Sequence, residues 1–269
     1  MFTISFFANS VLRKNYENKA IHNRTNKAFN GFMQAGADTV TIPALSAVQI
    51  LDLGTDPDAN AGVDVKGDTG TITINVVSKM VRIKESLVSK FNSKSGLNLF
   101  NHYVDESNRK LVREYNKLVI EAAFGTANKF PFSGASMVLN DIIDMKEFFD
   151  NNEVPEEGRI LVVDSRLQKE LWAIPFVQQA AVFNSANLKS GVFVEFFGFT
   201  VYVSALPPQY NGKRAMVAWW EPSNAFLLGS ETNIESVYIP KLGGKIHDIY
   251  TFSAYKQLDD SMACVKYQK

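Results

Sequence analysis

One stretch, Gly96 to Thr126, limits the fold more than any other. No proline interrupts it, and no glycine occurs between Gly96 and Gly125. Phe100, Tyr103/Val104, Leu111, Tyr115, Leu118/Val119 and Ala122 recur at three- and four-residue steps, the helix period. Asp105 and Glu106 lie near the start, Lys110, Arg113 and Lys117 follow, and Gly125 stands where a left-handed C-terminal cap would be. The spacing predicts a helix over about residues 97–125. At 1.5 Å per residue it is a rod of roughly 40 Å, two to three times the usual globular helix. An apolar face of that length needs one partner surface along it. The expectation is a β-layer laid across a long helix.

The rest of the chain supplies the strands. Asp38 to Leu45 alternates at period two with β-branched residues, and Pro43 confines it to an edge or a strand end. Thr69 to Val77 repeats the pattern, with Val81 and Ile83 extending it. Between them Asp52 to Asp68 is rich in Asp, Gly and Ala and cannot bury a core of its own. A β-excursion of that length is usually functional or mobile. Asn128 to Gly134 reads as a turn around Pro131. Leu139 to Phe149 reads as a helix, with Asp141, Asp144 and Glu147 on its polar side. Pro155 and Gly158 then make a turn into a short buried strand, Ile160 to Val163, and Asp164 or Ser165 caps a helix over Arg166 to Trp172. A second helical segment is expected from Phe176 to about Ser185. Gly191 to Ser204 alternates, broken at Gly198, and Pro207-Pro208 ends it. Strands are expected at Ala215–Trp219, Ala225–Leu228, Val237–Ile239, Ile246–Tyr255 and Ala263–Tyr267, with a glycine turn over Pro240 to Lys245.

Charge is distributed unevenly. The whole chain of 269 residues has 28 basic and 28 acidic side chains, which argues against a dedicated nucleic-acid binder and suits a protein that associates. Residues 1–36 nevertheless carry +4, from Arg13, Lys14, Lys19, Arg24 and Lys27 against Glu17. The excursion carries −4, from Asp52, Asp56, Asp58, Asp64 and Asp68 against Lys66. The N-terminal stretch is therefore either a solvated tail or short surface helix, or an arm that lies on a neighbouring chain or faces a polyanion. Complementary charge favours an arm-to-loop contact between subunits, although each exposed pair contributes little. Twenty phenylalanines give more ring surface than most cores need, and some of it is expected between chains.

Motifs for catalysis are incomplete. Asp56-Pro-Asp58-Ala-Asn60-Ala-Gly62 brushes against a calcium loop, but its glycine is one place late and Gly67 stands where Glu is needed. Gly134-Ala-Ser136-Met-Val lacks the last glycine of a nucleophile elbow. Gly243-Gly-Lys245-Ile lacks the hydroxyl residue of a phosphate loop. His22, His102 and His247 are scattered, so neither a metal set nor a Ser/His pair emerges. Trp219-Trp220 reads as a buried pair beside a strand end, and Glu156-Glu157 as solvated. The lone Cys264 excludes an internal disulfide, fits a reducing compartment and reads as a small buried hydrophobe. The apolar run from Val192 to Leu206 is too short and too alternating to span a membrane. No catalytic, cofactor or metal site is expected.

Two segments carry a resemblance. Asn152-Glu-Val-Pro-Glu-Glu-Gly-Arg-Ile-Leu-Val-Val163 joins a helix, a Pro-x-x-Gly-Arg turn and a hydrophobic strand. Phe197-Gly-Phe-Thr-Val-Tyr-Val-Ser204-Ala-Leu-Pro207 pairs a Gly-Phe step with an alternating strand. In this order the chain resembles the major capsid proteins of tailed double-stranded DNA bacteriophages, with the HK97-type fold, and within them the P22-type coat branch. The likeness covers about residues 25–269 in layout, with residue matches over roughly a quarter of the chain.

The resemblance implies an α+β fold with an N-terminal arm (1–36), a peripheral domain (37–129) with an extended loop (46–70) and spine helix (97–125), a mixed axial domain (130–235), and a return to the peripheral domain (236–269). Pro240 to Lys245, with Lys241 and Lys245, would be a peripheral tip near local threefold contacts. The expectation is that no scaffolding or protease-removed segment precedes the arm, so that a scaffold, where one is needed, would be a separate protein. Partners would be copies of itself, with portal, scaffold and decoration proteins, and weak nonspecific contact with packaged DNA. The implied function is a virion shell subunit assembled in the host cytoplasm, with an encapsulin-like compartment as the alternative and a soluble α+β enzyme as a remote third.

Overall fold

The computed structural model describes residues 21–33, 38–43, 71–84, 99–134, 136–174, 195–204, 209–229, 233–240 and 244–269. The first twenty residues, the acidic excursion, the expected helix at 176–185, Pro207-Pro208 and the centre of the Pro240–Lys245 turn lie outside them.

The long helix, α1, runs from Leu99 to Phe124. It ends without a left-handed cap. Gly125 donates its N–H to the Ala122 carbonyl at 2.9 Å, tightening the last turn. A Cβ at Gly125 would lie 2.9 Å from that same oxygen, so the glycine is required by close approach and not by a positive φ.

Two sheets share α1. The first contains β1 (Thr39–Pro43), β2 (Thr71–Lys84), β9 (Asn224–Leu228), β10 (Asn233–Ile239) and β11 (Gly244–Gln257). Its order is β1-β2-β11-β10, all antiparallel, with β9 also pairing β11. Pro43 closes the edge strand β1, where its missing N–H breaks no ladder. Side-chain alternation divides this sheet cleanly. Phe226, Leu228, Val81 and Tyr255 face α1. Ala225, Leu227, Ile74, Val76 and Ala254 face the other way, where Phe29 and Met33 cover them.

The second sheet contains β3 (Lys129–Pro131), β4 (Arg159–Asp164), β5 (Glu195–Phe196), β6 (Phe199–Ser204), β7 (Gln209–Tyr210), β8 (Lys213–Trp220) and β12 (Ala263–Tyr267). Its order is β3-β12-β8-β4-β6-β5, with β7 a hairpin partner of β8. The stretch read as a plain turn around Pro131 is thus the edge strand β3, parallel to β12. The pairing depends on a strand over 130 residues away in sequence, which local pattern does not report. One face presents Val162, Val217, Trp219 and Val265 to α1. The other presents Leu161, Val163, Ala218 and Cys264 to α2 (Leu139–Asn151) and α3 (Ser165–Ala173). Every residue of β4 is buried, as expected for a continuous apolar run covered on both faces. Asp164 caps α3 by accepting the Leu167 N–H at 2.5 Å.

Two buried polar clusters and one partly exposed ion pair hold these layers in register. Arg159 is 2% exposed in its side chain, yet charged. Its guanidinium donates to Asp150 Oδ1 at 2.7 Å, to the Pro155 carbonyl at 3.0 Å and to the Val154 carbonyl, and it lies over the Phe149 ring. The Pro-x-x-Gly-Arg turn is therefore a cradle for one cation. Asp141 was placed on the polar side of its helix by spacing, but it is fully buried. It accepts from the Ser133 N–H and hydroxyl, from the Val138 N–H at 2.9 Å and from Lys266 Nζ at 3.3 Å. Lys266 also reaches Asp144. Arg82 and Asp248, opposite each other on β2 and β11, form a two-pronged pair at 2.6 and 2.8 Å.

Candidate assembly surfaces

The described part of the N-terminal stretch is fastened to its own chain. Ile21 is buried against α1. The His22 N–H and Nδ1 both meet Asn116 Oδ1 at 3.1 Å, and the ring stands edge-on to Tyr115 and Phe226. This contact makes Nδ1 the protonated ring nitrogen. Burial pushes the His22 pKa below its usual value, the Asn116 bond opposes that, and Lys27 adds to it. Asn26 donates its N–H to the Asn224 carbonyl at 2.8 Å and accepts from the Phe226 N–H at 3.4 Å, bridging to β9. Trp219 Nε1 donates to the Arg24 carbonyl at 3.2 Å. The segment is a strap that runs beside β9, parallel to it at Asn26 and Ala225, and lays Phe29 and Met33 on the back of the first sheet.

Of the five basic residues singled out, Arg24 and Lys27 lie on this strap. Arg24 Nε donates to the Tyr202 hydroxyl at 2.8 Å, and its guanidinium is 3.9 Å from Glu221. Lys27 donates to Asn23 Oδ1 at 2.7 Å. Partial burial pushes the Glu221 pKa up, against the pull of Arg24 and Lys27. Arg13, Lys14 and Lys19 lie outside the described residues, as do Lys241 and the acidic Asp52, Asp56, Asp58, Asp64 and Asp68. Pro43 and Thr71, the described residues on either side of 44–70, are partners at the edge of the first sheet. Lys245 pairs with Tyr238 across β10 and β11.

Large apolar side chains remain in solvent at several places. On the edge strand β10, Val237 and Tyr238 are 55% and 60% exposed. Met80 on β2, Phe32 on the strap, Phe130 on the edge strand β3, and Val138 and Ile143 at α2 are also exposed. Two of these sites are sheet edges, where unpaired backbone adds to the apolar side chains. Sequence reading did not single out any of them. A signal existed for β10, since Val237, Tyr238 and Ile239 put apolar side chains on both faces of one strand.

The chemistry available elsewhere is limited. Among the described residues no group of three or more His, Cys, Asp or Glu side chains could hold a metal ion. Cys264 is buried, and burial raises its thiol pKa far above the reactive range. Trp219 is fully buried, and Trp220 donates Nε1 to the Glu157 carbonyl at 2.9 Å. Glu156 is exposed and pairs with Lys146 at 3.1 Å. No described helix is long and apolar enough to cross a membrane.

No protein-family model matches the sequence, and no curated protein matches it. Solved structures do. A chain from Mycobacterium phage Che8 superposes with a TM-score of 0.66 at 13% identity, over 93% of this chain and 91% of that one. A chain of the virus-like particle from Pyrococcus furiosus gives 0.57 at 11% identity, over 97% and 96%. A chain of the bacteriophage PhiM1 mature capsid gives 0.56 at 12% identity, over 90% and 87%. The fold is the HK97-type shell fold. At these identities the likeness rests on layout, and the α+β class with long helix and paired layers agrees with the expectation from sequence.

Proposed function

We propose that this chain is the structural subunit of an icosahedral phage capsid, which assembles with copies of itself into pentamers and hexamers around a DNA genome. The observation that carries this reading is the extent of the match: the PhiM1 capsid chain is followed through nearly its whole length and not through one module. The reading is one of association, not catalysis. Exposed apolar side chains at the sheet edges are the kind of surface that neighbouring copies cover.

In this reading α1 with β1, β2, β9, β10 and β11 forms the peripheral domain. The β3–β8 and β12 sheet with α2 and α3 forms the axial domain. That division refines the sequence boundaries at two places, because β9 joins the sheet of β11 and β12 joins that of β8. The stretch 46–70 is the extended loop, and its −4 charge meets the +4 of residues 1–36 on adjacent subunits. Lys241 and Lys245 lie at the peripheral tip. Portal, scaffold and decoration proteins are the further partners, and the site of assembly is the bacterial cytoplasm.

Electron microscopy of the expressed full-length chain tests the proposal. Closed shells or capsomers are the expected result. A solitary monomer at high concentration overturns it and returns the soluble-enzyme alternative. A likeness to the SrpI encapsulin from Synechococcus elongatus, with a TM-score of 0.51 at 9% identity over 75% of this chain and 76% of that one, favours one second reading, a compartment of the same fold holding protein cargo. Nuclease-protected DNA inside the particles supports the capsid, and packaged protein supports the compartment.

A further inference from the structure

We propose that Asn224 and Gln257 hold one buried water molecule between α1 and the two chain crossings that join the sheets. The two residues are direct partners across β9 and β11, so their side chains share a face. Asn224 is 0% exposed and Gln257 is 7% exposed. Each amide is oriented by a carbonyl. Asn224 Nδ2 donates to the Val119 carbonyl at 3.3 Å. Gln257 Nε2 donates to the Asp259 carbonyl at 2.8 Å and to Ser223 Oγ at 2.9 Å. Turning either amide over would set oxygen against oxygen, so the orientation is fixed by the network.

That orientation leaves Asn224 Oδ1 and Gln257 Oε1 without a hydrogen-bond donor among the described residues. Buried acceptors are seldom left so, because each gave up its hydrogen bonds to solvent on folding. Two of them on paired positions match the two protons of one water. The nearby Asp259 carboxylate is engaged by the Ser261 N–H and hydroxyl. The free ligand atoms are thus neutral amide oxygens, which suit water and give a divalent cation no charge to bind.

The position gives the water a role. Residues Glu221–Ser223 carry the chain from β8 to β9, and residues 258–262 carry it from β11 to β12. The crossings touch: the Leu258 N–H donates to the Ser223 carbonyl at 2.7 Å. The water ties together the only described places where these two connections pass between the sheets, through one residue at the start of β9 and one at the end of β11. An open groove of about 790 Å³ passes beside this point, lined in part by Ala122, Gln257 and Asp259.

The test is a structure of the full-length chain at a resolution that shows ordered water, joined to a double-mutant cycle with Asn224→Leu and Gln257→Met. Density within about 2.6–3.2 Å of both oxygens is expected. The combined effect on the unfolding equilibrium should fall short of the product of the single effects by at least about threefold, because either change alone dislodges the shared water. Three results overturn the proposal: a side-chain donor occupying the position, density that becomes heavier when potassium is exchanged for rubidium, or multiplicative effects. The density reading needs no variant, so it decides even if the substituted chains fail to fold.

Discussion

Lys266 and Asp141 form a buried pair, 5% and 0% exposed in their side chains, between β12 and the start of α2. Asp141 also holds the Val138 and Ser133 N–H groups, so one carboxylate orders a helix start, a loop and a strand. Lys266→Met leaves that carboxylate without its cation. It should lower stability by about 3–5 kcal/mol, the usual cost of breaking a buried pair from one side. Adding Asp141→Asn should cost less than the sum of the two single changes. Urea unfolding of the four proteins measures this, and strict additivity would show that the pair is not coupled. His22 carries a pH prediction. Its pKa in the folded chain is lowered by burial, so below about 6.5 the unfolded chain takes up the proton first. The contribution of the strap is then full above that pH and is lost as pH falls towards the lower folded value. Unfolding midpoints at about pH 7.5 and pH 5.5 should differ. In His22→Asn most of that difference should vanish, and an unchanged difference would clear His22 of the role.

The long helix works because it serves two sheets. Leu118 and Val119, 4% and 0% exposed, sit where α1 meets β8 and β12 on one side and β9 and β11 on the other. Leu118→Ala should therefore cost about 2–5 kcal/mol, as truncations in well-packed cores do, because neither sheet can collapse into the space without leaving the other. Hairpins carry a different constraint. Gly198 lies at φ +77° beside Phe197 at φ +49°, in the two-residue turn joining β5 and β6. The same left-handed pair recurs at Asn211 and Gly212 between β7 and β8. Gly198→Val should cost about 1–2 kcal/mol, since a side chain there strains the backbone even though its Cβ would make only ordinary contact with Glu156 at 3.9 Å. Thermal unfolding of the two variants should rank Leu118→Ala well below Gly198→Val.

For the whole molecule, the separation of charge between residues 1–36 and the acidic excursion matters more than the net charge of zero. If these segments meet on neighbouring copies, replacing Asp52, Asp56, Asp58, Asp64 and Asp68 by Asn should slow assembly at low salt. The gap from the unaltered chain should close near 1 M salt, where the screening length shrinks to about 3 Å. Light scattering during assembly reads both effects. An equal rate at low salt would mean that the two segments do not steer one another.

Local pattern was enough to read α1, the buried strand β4, a cap at Asp164 or Ser165 and the break at Gly198, because each depends on side-chain period or on backbone stereochemistry within a few residues. The Asn211-Gly212 hairpin went unread, although that dipeptide by itself favours the turn. Other features depend on residues far apart in sequence. Strand β3 exists because β12 lies beside it, and Asp141 is buried because Lys266 arrives from 125 positions later. The N-terminal strap could be read as a tail because its hold comes from Asn116, Trp219 and Asn224, each contributed by a different element. Sequence alone thus determined the long helix, the need to cover it, and those described helices and strands whose side-chain period is strong. Only the tertiary structure decided which sheet each strand joined and which charges were buried, because those outcomes are set by partners that no local window contains.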